Sequence, residues 1–406
     1  MKSGGREIRP LHRALAAILL LFLLYFGITG TIVQLVDLRA LATHAPANSP
    51  DMMAIRESID GSSNYAVIAA TDYTAPAVDP HFDWQAGLAR VTRAARAAAD
   101  GRPLRFVELR QAEGGAIGRV LAGDAVLQFD AVSGARLADL VADHPKGPQS
   151  SNHRSAKNWH RLWALGDWML WLNALVGLGL LAMVVTGLWL YLQLLRGRAR
   201  LGRKALFWSA GGWLRTSHRA ISLVAAFFLI VVSITGTLLS IDSLALQIYR
   251  TTEANGQFPP GMMADYSSPL ADDALPRMLD VTLNAYRQMQ GTRPIKAVRL
   301  RSFAGYPQGV VIAGGADTRQ IVFNASSGGR MRMTEPGYPY TGFPTGWELH
   351  ELLKRIHRGD AFGLAGRFVD LFAGLSLVFL SLSGLWMYRD LWRRRRAAGK
   401  PALFWR

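Results

Sequence analysis

Four apolar stretches, each long enough to span a bilayer, lie at roughly residues 14–35, 168–195, 220–241 and 368–388 and divide the chain into two matching halves. In places the match runs residue by residue. Leu11-His12-Arg13-Ala14-Leu15 leads into a run carrying Ile28-Thr29-Gly30-Thr31 and closes near Asp37, while Ser217-His218-Arg219-Ala220-Ile221 leads into Ile234-Thr235-Gly236-Thr237 and closes near Asp242. His160-Arg161 with Gly187-Leu188-Trp189 and Tyr191 returns without a gap as His357-Arg358 with Gly384-Leu385-Trp386 and Tyr388. Lys204-Ala205-Leu206-Phe207-Trp208 returns as Lys400 to Trp405. Offsets of 206 (218 less 12) and 197 (357 less 160) describe a duplicated domain and not a solenoid.

Half of the residues are hydrophobic, yet the formal net charge is +17, a combination that suits an integral membrane protein with basic flanks better than a nucleic-acid binder. The first apolar run is too long, and lacks a small-residue cleavage site, to read as a removable signal peptide. Basic flanks set the orientation. Lys2, Arg6, Arg9 and Arg13 precede the first run, Arg196, Arg198, Arg200, Arg203, Lys204 and Arg215 fill the short middle loop, and Arg393 to Arg396 follow the fourth. Both termini are therefore expected in the cytoplasm of a bacterial inner membrane, with the two long connections in the periplasm. The expected organisation is an N-terminus and first span (1–37), a first outer domain (38–152), an interfacial helix and second span (153–196) and a cytoplasmic loop (197–217). A third span (218–242), a second outer domain (243–347), an interfacial helix and fourth span (348–390) and a basic tail (391–406) complete it.

The chain has no cysteine, so domains on an oxidising side must hold by packing alone. The absence also excludes intrinsic iron–sulfur clusters, thiolate zinc sites, thiol catalysis and covalent haem attachment through Cys-x-x-Cys-His. Each outer segment reads as a small α+β unit. A helical stretch (Trp84 to Ala99; Leu275 to Met289) precedes an alternating run (Arg102 to Val107; Arg293 to Val298), and later strands carry the turns Asp130-Ala131-Val132-Ser133-Gly134 and Asn324-Ala325-Ser326-Ser327-Gly328. The stretches 36–80 and 251–269 read as irregular loops without a catalytic motif.

Six of nine histidines form the pairs His12/His218, His153/His350 and His160/His357. A single histidine at the edge of a span is most simply a packed or interfacial residue; symmetric pairs are what a six-coordinate haem between related helices needs, one neutral imidazole from each side. Gly30 and Gly236, 18 positions after His12 and His218, return to the same helical face and offer a close approach to a macrocycle or to a neighbouring helix. His153 and His160, like His350 and His357, are seven residues apart and so lie about 10 Å from one another on one helical face. They cannot both bind one iron. The pairing His160 with His357 is expected at the outer interface, with His153 and His350 nearer the water as alternative ligands or polar neighbours. Arg13, Arg219, Arg161 and Arg358 each follow a candidate ligand and suit haem propionates, although lipid phosphates explain Arg13 and Arg219 equally well. Trp159, Trp163, Trp168 and Trp171 read as an interfacial belt, Asp370, aligned on Asn173, as a helix-to-helix hydrogen-bonding group, and His44, His81 and His144 as surface residues.

On these residues the chain resembles the PepSY-associated transmembrane proteins, the PiuB-type iron-regulated inner-membrane family. The resemblance rests on the His-Arg starts of spans one and three, their Thr-Gly pairs, the Asp130 and Asn324 turns and the Gly-Leu-Trp ends of spans two and four. Asn324 departs from the family's usual Asp. Within the family the chain is similar to FoxB-type ferric-siderophore reductases, which implies four transmembrane helices, two periplasmic PepSY-like domains and about two non-covalent b haems, one held by His12 and His218 and the other by His160 and His357. It implies electron transfer from a quinol or a cytoplasmic reductase to a ferric siderophore in the periplasm, with release of Fe(II). A PepSY-based regulatory or binding protein without redox activity, and a siderophore or iron permease component, are the rival readings. The second is disfavoured because Asp370 is the one acidic residue within the spans and no broken helix is evident.

Overall fold

The computed structural model describes residues 4–45, 49–52, 54–55, 67–68, 70–112, 114–123, 125–138, 151–203, 205–209, 211–252, 268–290, 293–315, 318–331, 343–400 and 402. His144, Lys2, Lys204, the stretches 56–66 and 253–267 of the two irregular loops and the Leu403-Phe404-Trp405 copy lie outside them. The described chain forms two compact units, one from residues 1–39, 152–248 and 350–406, the other from 40–151 and 249–349.

The first unit is helical. It contains α1 (Gly4–Ala42), α4 (Asn152–His160), α5 (Leu170–Ala199), α6 (Gly212–Thr252), α8 (Trp347–His357) and α9 (Gly363–Ala397). Helices α1, α5, α6 and α9 carry apolar segments long enough to cross a membrane. At 39 and 41 residues, α1 and α6 rise about 60 Å, twice the thickness of a hydrocarbon core, so both extend well past their apolar runs. This explains why the stretches after Val36 and Thr251, read as loops, begin as helix. The four helices meet on Leu23, Val176, Ala225, Leu229, Ala373 and Leu377, which include at least one residue from each. Small residues bring backbones together elsewhere. Gly27 packs on Val378, and Gly374 lies against Thr31 and the Gly27 carbonyl.

The short helices α4 and α8 each stop on a histidine, for the same local reason. Two residues beyond the histidine the backbone turns left-handed, at Leu162 (φ 59°) and Gly359 (φ 74°), with Leu162 N–H donating to Trp159 and Gly359 N–H to Ile356. Glycine takes this turn without strain, whereas Leu162 pays a cost of about 1 kcal/mol or more. The result in both halves is a histidine in a final helical turn, followed by an arginine.

The second unit is one seven-stranded antiparallel sheet in the order β3-β2-β1-β4-β5-β6-β7. Its strands are β1 (Leu104–Ala112), β2 (Gly115–Ala122), β3 (Ala125–Asp130), β4 (Ile295–Phe303), β5 (Tyr306–Ala313), β6 (Arg319–Asn324) and β7 (Arg330–Met331), with α2 (Ala70–Thr74), α3 (Trp84–Ala98) and α7 (Ala274–Gln290) beside it. The two α+β segments are thus not separate sheets. β1 pairs with β4, aligning Glu108 with Arg299 and Phe106 with Arg301. Side chains alternate across these strands: Val107, Leu109, Val298 and Leu300 join a core with Leu88 and Val91 of α3 and Leu279 and Leu283 of α7. The other face carries Glu108, whose carboxylate meets Arg299 at 2.6 Å, Arg110 at 3.2 Å and Arg119 at 3.7 Å. Arg110 also pairs with Asp72 of α2. The turns form as read. Asp130 Oδ1 accepts from the Val132 and Ser133 N–H groups, and Asn324 Oδ1 accepts from Ser326 and Ser327, so the Asp-to-Asn departure preserves the turn. The Ser133 hydrogen bonds hold the Asp130 carboxyl below the usual carboxylate range.

Candidate functional site

His160 and His357 face one another inside the helical unit, ring centres 6.4 Å apart and ring planes tilted by 33°. They line a cavity of about 240 Å³ between α1, α4, α5, α6, α8 and α9. Each ring is held by the opposite element of the same half. His160 Nδ1 is 3.0 Å from Thr29 Oγ1 on α1, and His357 Nδ1 is 3.0 Å from Thr235 Oγ1 on α6. Beside each hydroxyl a glycine makes room: a Cβ on Gly30 would lie 3.2 Å from His160 Cε1, and one on Gly236 would lie 3.0 Å from His357 Cε1. Burial, the facing His357 and Arg161 push His160 down to about 3; burial, with Arg358 adding to it, pushes His357 down to about 4. Both rings are neutral at physiological pH, the state a metal requires.

Sequence reading aligned Gly30 and Gly236 with His12 and His218 of their own helices; the structure gives these glycines to His160 and His357. His12 and His218 use the same device elsewhere. His12 Nδ1 is 2.9 Å from Thr186 Oγ1 on α5, with Gly187 next to its ring, and His218 Nδ1 is 2.7 Å from Ser383 Oγ on α9, with Gly384 next to its ring. His12 and His218 lie within electrostatic reach of one another. From His12 to Thr29, and from His218 to Thr235, is 17 residues of continuous helix, about 26 Å of rise between the two histidine pairs. The hydroxyls Thr186 and Ser383 escaped the sequence reading. The signal was a Thr-Gly or Ser-Gly dipeptide in every apolar run.

His153 and His350 differ. Expected nearer the water, they are buried, at 1% and 9% exposure, and each bonds a carboxylate: His153 Nδ1 to Asp37 at 2.5 Å and His350 Nδ1 to Asp242 at 2.9 Å. The reason is the length of α1 and α6, which carries Asp37 and Asp242 past the apolar runs to meet α4 and α8. Asp37 also accepts from Arg367 at 2.5 Å and lies 3.8 Å from Arg358.

The arginines are not equivalent. Arg358 and Arg367 share Asp360, at 3.3 and 2.5 Å. Arg161 donates to Ser243 at 3.0 Å and stacks over Trp163 at 4.2 Å, and no carboxylate lies within 4 Å of it among the described residues. Burial lowers it to about 10, which leaves it charged on the cavity wall at neutral pH. Arg219 is turned to the Trp208 carbonyl and ring, and Arg13 lies near Tyr388 and Arg395. Asp370 accepts from Gln34 at 2.5 Å, joining α9 to α1, while the aligned Asn173 donates to the Arg161 carbonyl. Trp159, Trp163, Trp168 and Trp171 are exposed, as are His44 and His81.

The donor set fits haem iron. Two imidazoles bonded to opposite faces of one iron at about 2 Å place their ring centres roughly 6.3 Å apart, and His160 and His357 stand at 6.4 Å. No group of three or more His, Cys, Asp or Glu side chains suited to a bare metal ion occurs among the described residues.

Four bilayer-length helices around paired histidines define a multi-pass membrane protein. The chain matches the model of the PepSY-associated TM region over residues 11–390 and belongs to that family. No curated protein matches it.

Proposed function

We propose that this protein is a bacterial inner-membrane reductase with two non-covalent b haems, which carries single electrons across the membrane to ferric siderophores in the periplasm. The observation that carries the reading is the His160–His357 separation of 6.4 Å across a cavity, with a second histidine pair about 26 Å of helix away. His160 and His357 would hold the outer haem, His12 and His218 the inner one. Haem supplies reversible one-electron chemistry between ferric and ferrous iron.

The chain's own residues do the rest. Neutral imidazoles provide lone pairs, the hydroxyl–glycine pairs fix ring orientation, and the apolar helix walls exclude water. Arg161 offers an uncompensated charge for a haem propionate, and Arg358, engaged with Asp360 and Asp37, is the weaker partner. One electron from a quinol or a cytoplasmic reductase would convert one chelated Fe(III) to Fe(II), which hard oxygen ligands hold far less tightly. The basic flanks support a reading with both termini in the cytoplasm and the sheet unit in the periplasm, and the paired order of elements supports an internal duplication.

The rival reading, a PepSY-based regulatory anchor without a chromophore, leaves the pairs His160/His357 and His12/His218 and their hydroxyl partners without a role. A permease is disfavoured because Asp370, the acidic group of the cavity wall, is tied by Gln34 to the Arg358 carbonyl. The test is spectroscopic: purified protein reduced with dithionite and freed of excess reductant is mixed with a ferric hydroxamate. Reoxidation of the haem bands with matching Fe(II) release supports the reductase, and bands that stay reduced contradict it.

A further inference from the structure

Every hydroxyl that meets a paired histidine has already spent its only hydrogen. Thr29 Oγ1 donates to the Tyr25 carbonyl at 2.8 Å, Thr235 to Val231 at 2.7 Å, Thr186 to Ala182 at 2.7 Å and Ser383 to Phe379 at 2.6 Å, each the i−4 carbonyl of its own helix. A hydroxyl has one hydrogen and two lone pairs, so towards the imidazole these four oxygens only accept.

We propose that Thr29, Thr235, Thr186 and Ser383 lock His160, His357, His12 and His218 in the Nδ1–H tautomer, so that each ring keeps its Nε2 lone pair for iron. These four are positioning residues. Four of the six paired histidines thus sit on neutral hydroxyls, whereas His153 and His350, on Asp37 and Asp242, pin α4 and α8 to the ends of α1 and α6. A neutral acceptor also draws less on the Nδ1 proton than a carboxylate does. The four rings therefore donate less charge than a carboxylate-bound histidine, which favours the ferrous state and a higher potential. The role of iron rests on the reading proposed above; the tautomer does not.

The test uses the full chain in lipid nanodiscs with 15N-labelled histidine, produced in haem-depleted cells so that no iron on Nε2 fixes the tautomer, because the 15N shift of each ring nitrogen reports whether it carries hydrogen. The expected result is a protonated Nδ1 on His12, His160, His218 and His357. Thr29→Val gives His160 a mixture of tautomers, and Thr29→Ser restores one. Thr31→Val and Thr237→Val, which remove hydroxyls bonded only to Gly27 and Ser233 carbonyls, leave all four rings unchanged. If haem is present, Thr29→Val and Thr235→Val move the midpoint potential of one haem upwards and weaken its binding about 10- to 100-fold, while Thr186→Val and Ser383→Ala do so at the other. An Nε2-protonated ring among the four in the wild type, or a Thr29→Val spectrum identical to that of Thr31→Val, overturns the lock. A wild type that is colourless even when purified from haem-replete cells, but has the expected tautomers, overturns the haem reading and leaves the lock standing.

Discussion

Thr29 and His160 are joined at 3.0 Å from helices far apart in sequence, and Thr235 and His357 are joined at the same distance in the other half. The repetition gives the site its logic: an apolar span supplies hydroxyl and glycine, and a short helix ending on histidine supplies the ring.

Histidine substitutions separate the two pairs. His160→Ala and His357→Ala are each expected to remove the same haem, and His12→Ala and His218→Ala the other. His153→Ala and His350→Ala retain both, with a lower melting temperature. Haemochrome content of each purified variant checks this, and loss of different haems within a pair contradicts the pairing.

The glycines predict a graded series. An added Cβ would lie 3.0 Å from His357 at Gly236, 3.2 Å from His160 at Gly30, 3.3 Å from His12 at Gly187 and 3.8 Å from His218 at Gly384. Alanine at Gly236, Gly30 or Gly187 is expected to cost about 1–3 kcal/mol through displaced rings, whereas Gly384→Ala is near neutral. Thermal unfolding in detergent, followed through the haem bands, ranks the four.

How much of this was legible in the sequence differs by element. The spans and the two turns follow from local spacing and appear where the residues put them, and His160 and His357 come face to face. The partner of each histidine does not, because a turn count on α1 says that Gly30 shares a face with His12 but not which neighbouring helix that stretch of face meets. The union of β1 with β4 was hidden for a similar reason. Alternation shows Glu108 and Arg299 on strands, and only the pairing of distant strands puts them side by side. Charged residues at alternating positions of both strands, Glu108 with Arg110 and Arg299 with Arg301, were the available clue.

Asp37 compensates a buried cation. Asp37→Asn leaves the Arg367 guanidinium, 3% exposed, and Arg358 sharing the single Asp360 carboxylate, and weakens the hold on His153. A loss of about 3–5 kcal/mol is expected, read as a drop in melting temperature. Glu108→Gln should cost the sheet unit a similar amount, since one carboxylate there faces three guanidinium groups, while haem content stays at the wild-type level.

Proton competition for the outer pair sets a pH dependence. With the free rings pushed down to about 3 and 4, haem affinity is expected to be flat from pH 8 to pH 5 and to fall only below about pH 4. Affinity at ordinary histidines near 6.5 would begin to fall below that value. A pH titration of the outer-haem Soret band distinguishes the two.

The most direct test is the haem content of the full-length protein purified from haem-replete cells, by pyridine haemochrome against protein concentration. The account predicts about two b-type haems per chain, both low-spin with two histidine ligands. A well-folded protein that carries none would contradict it.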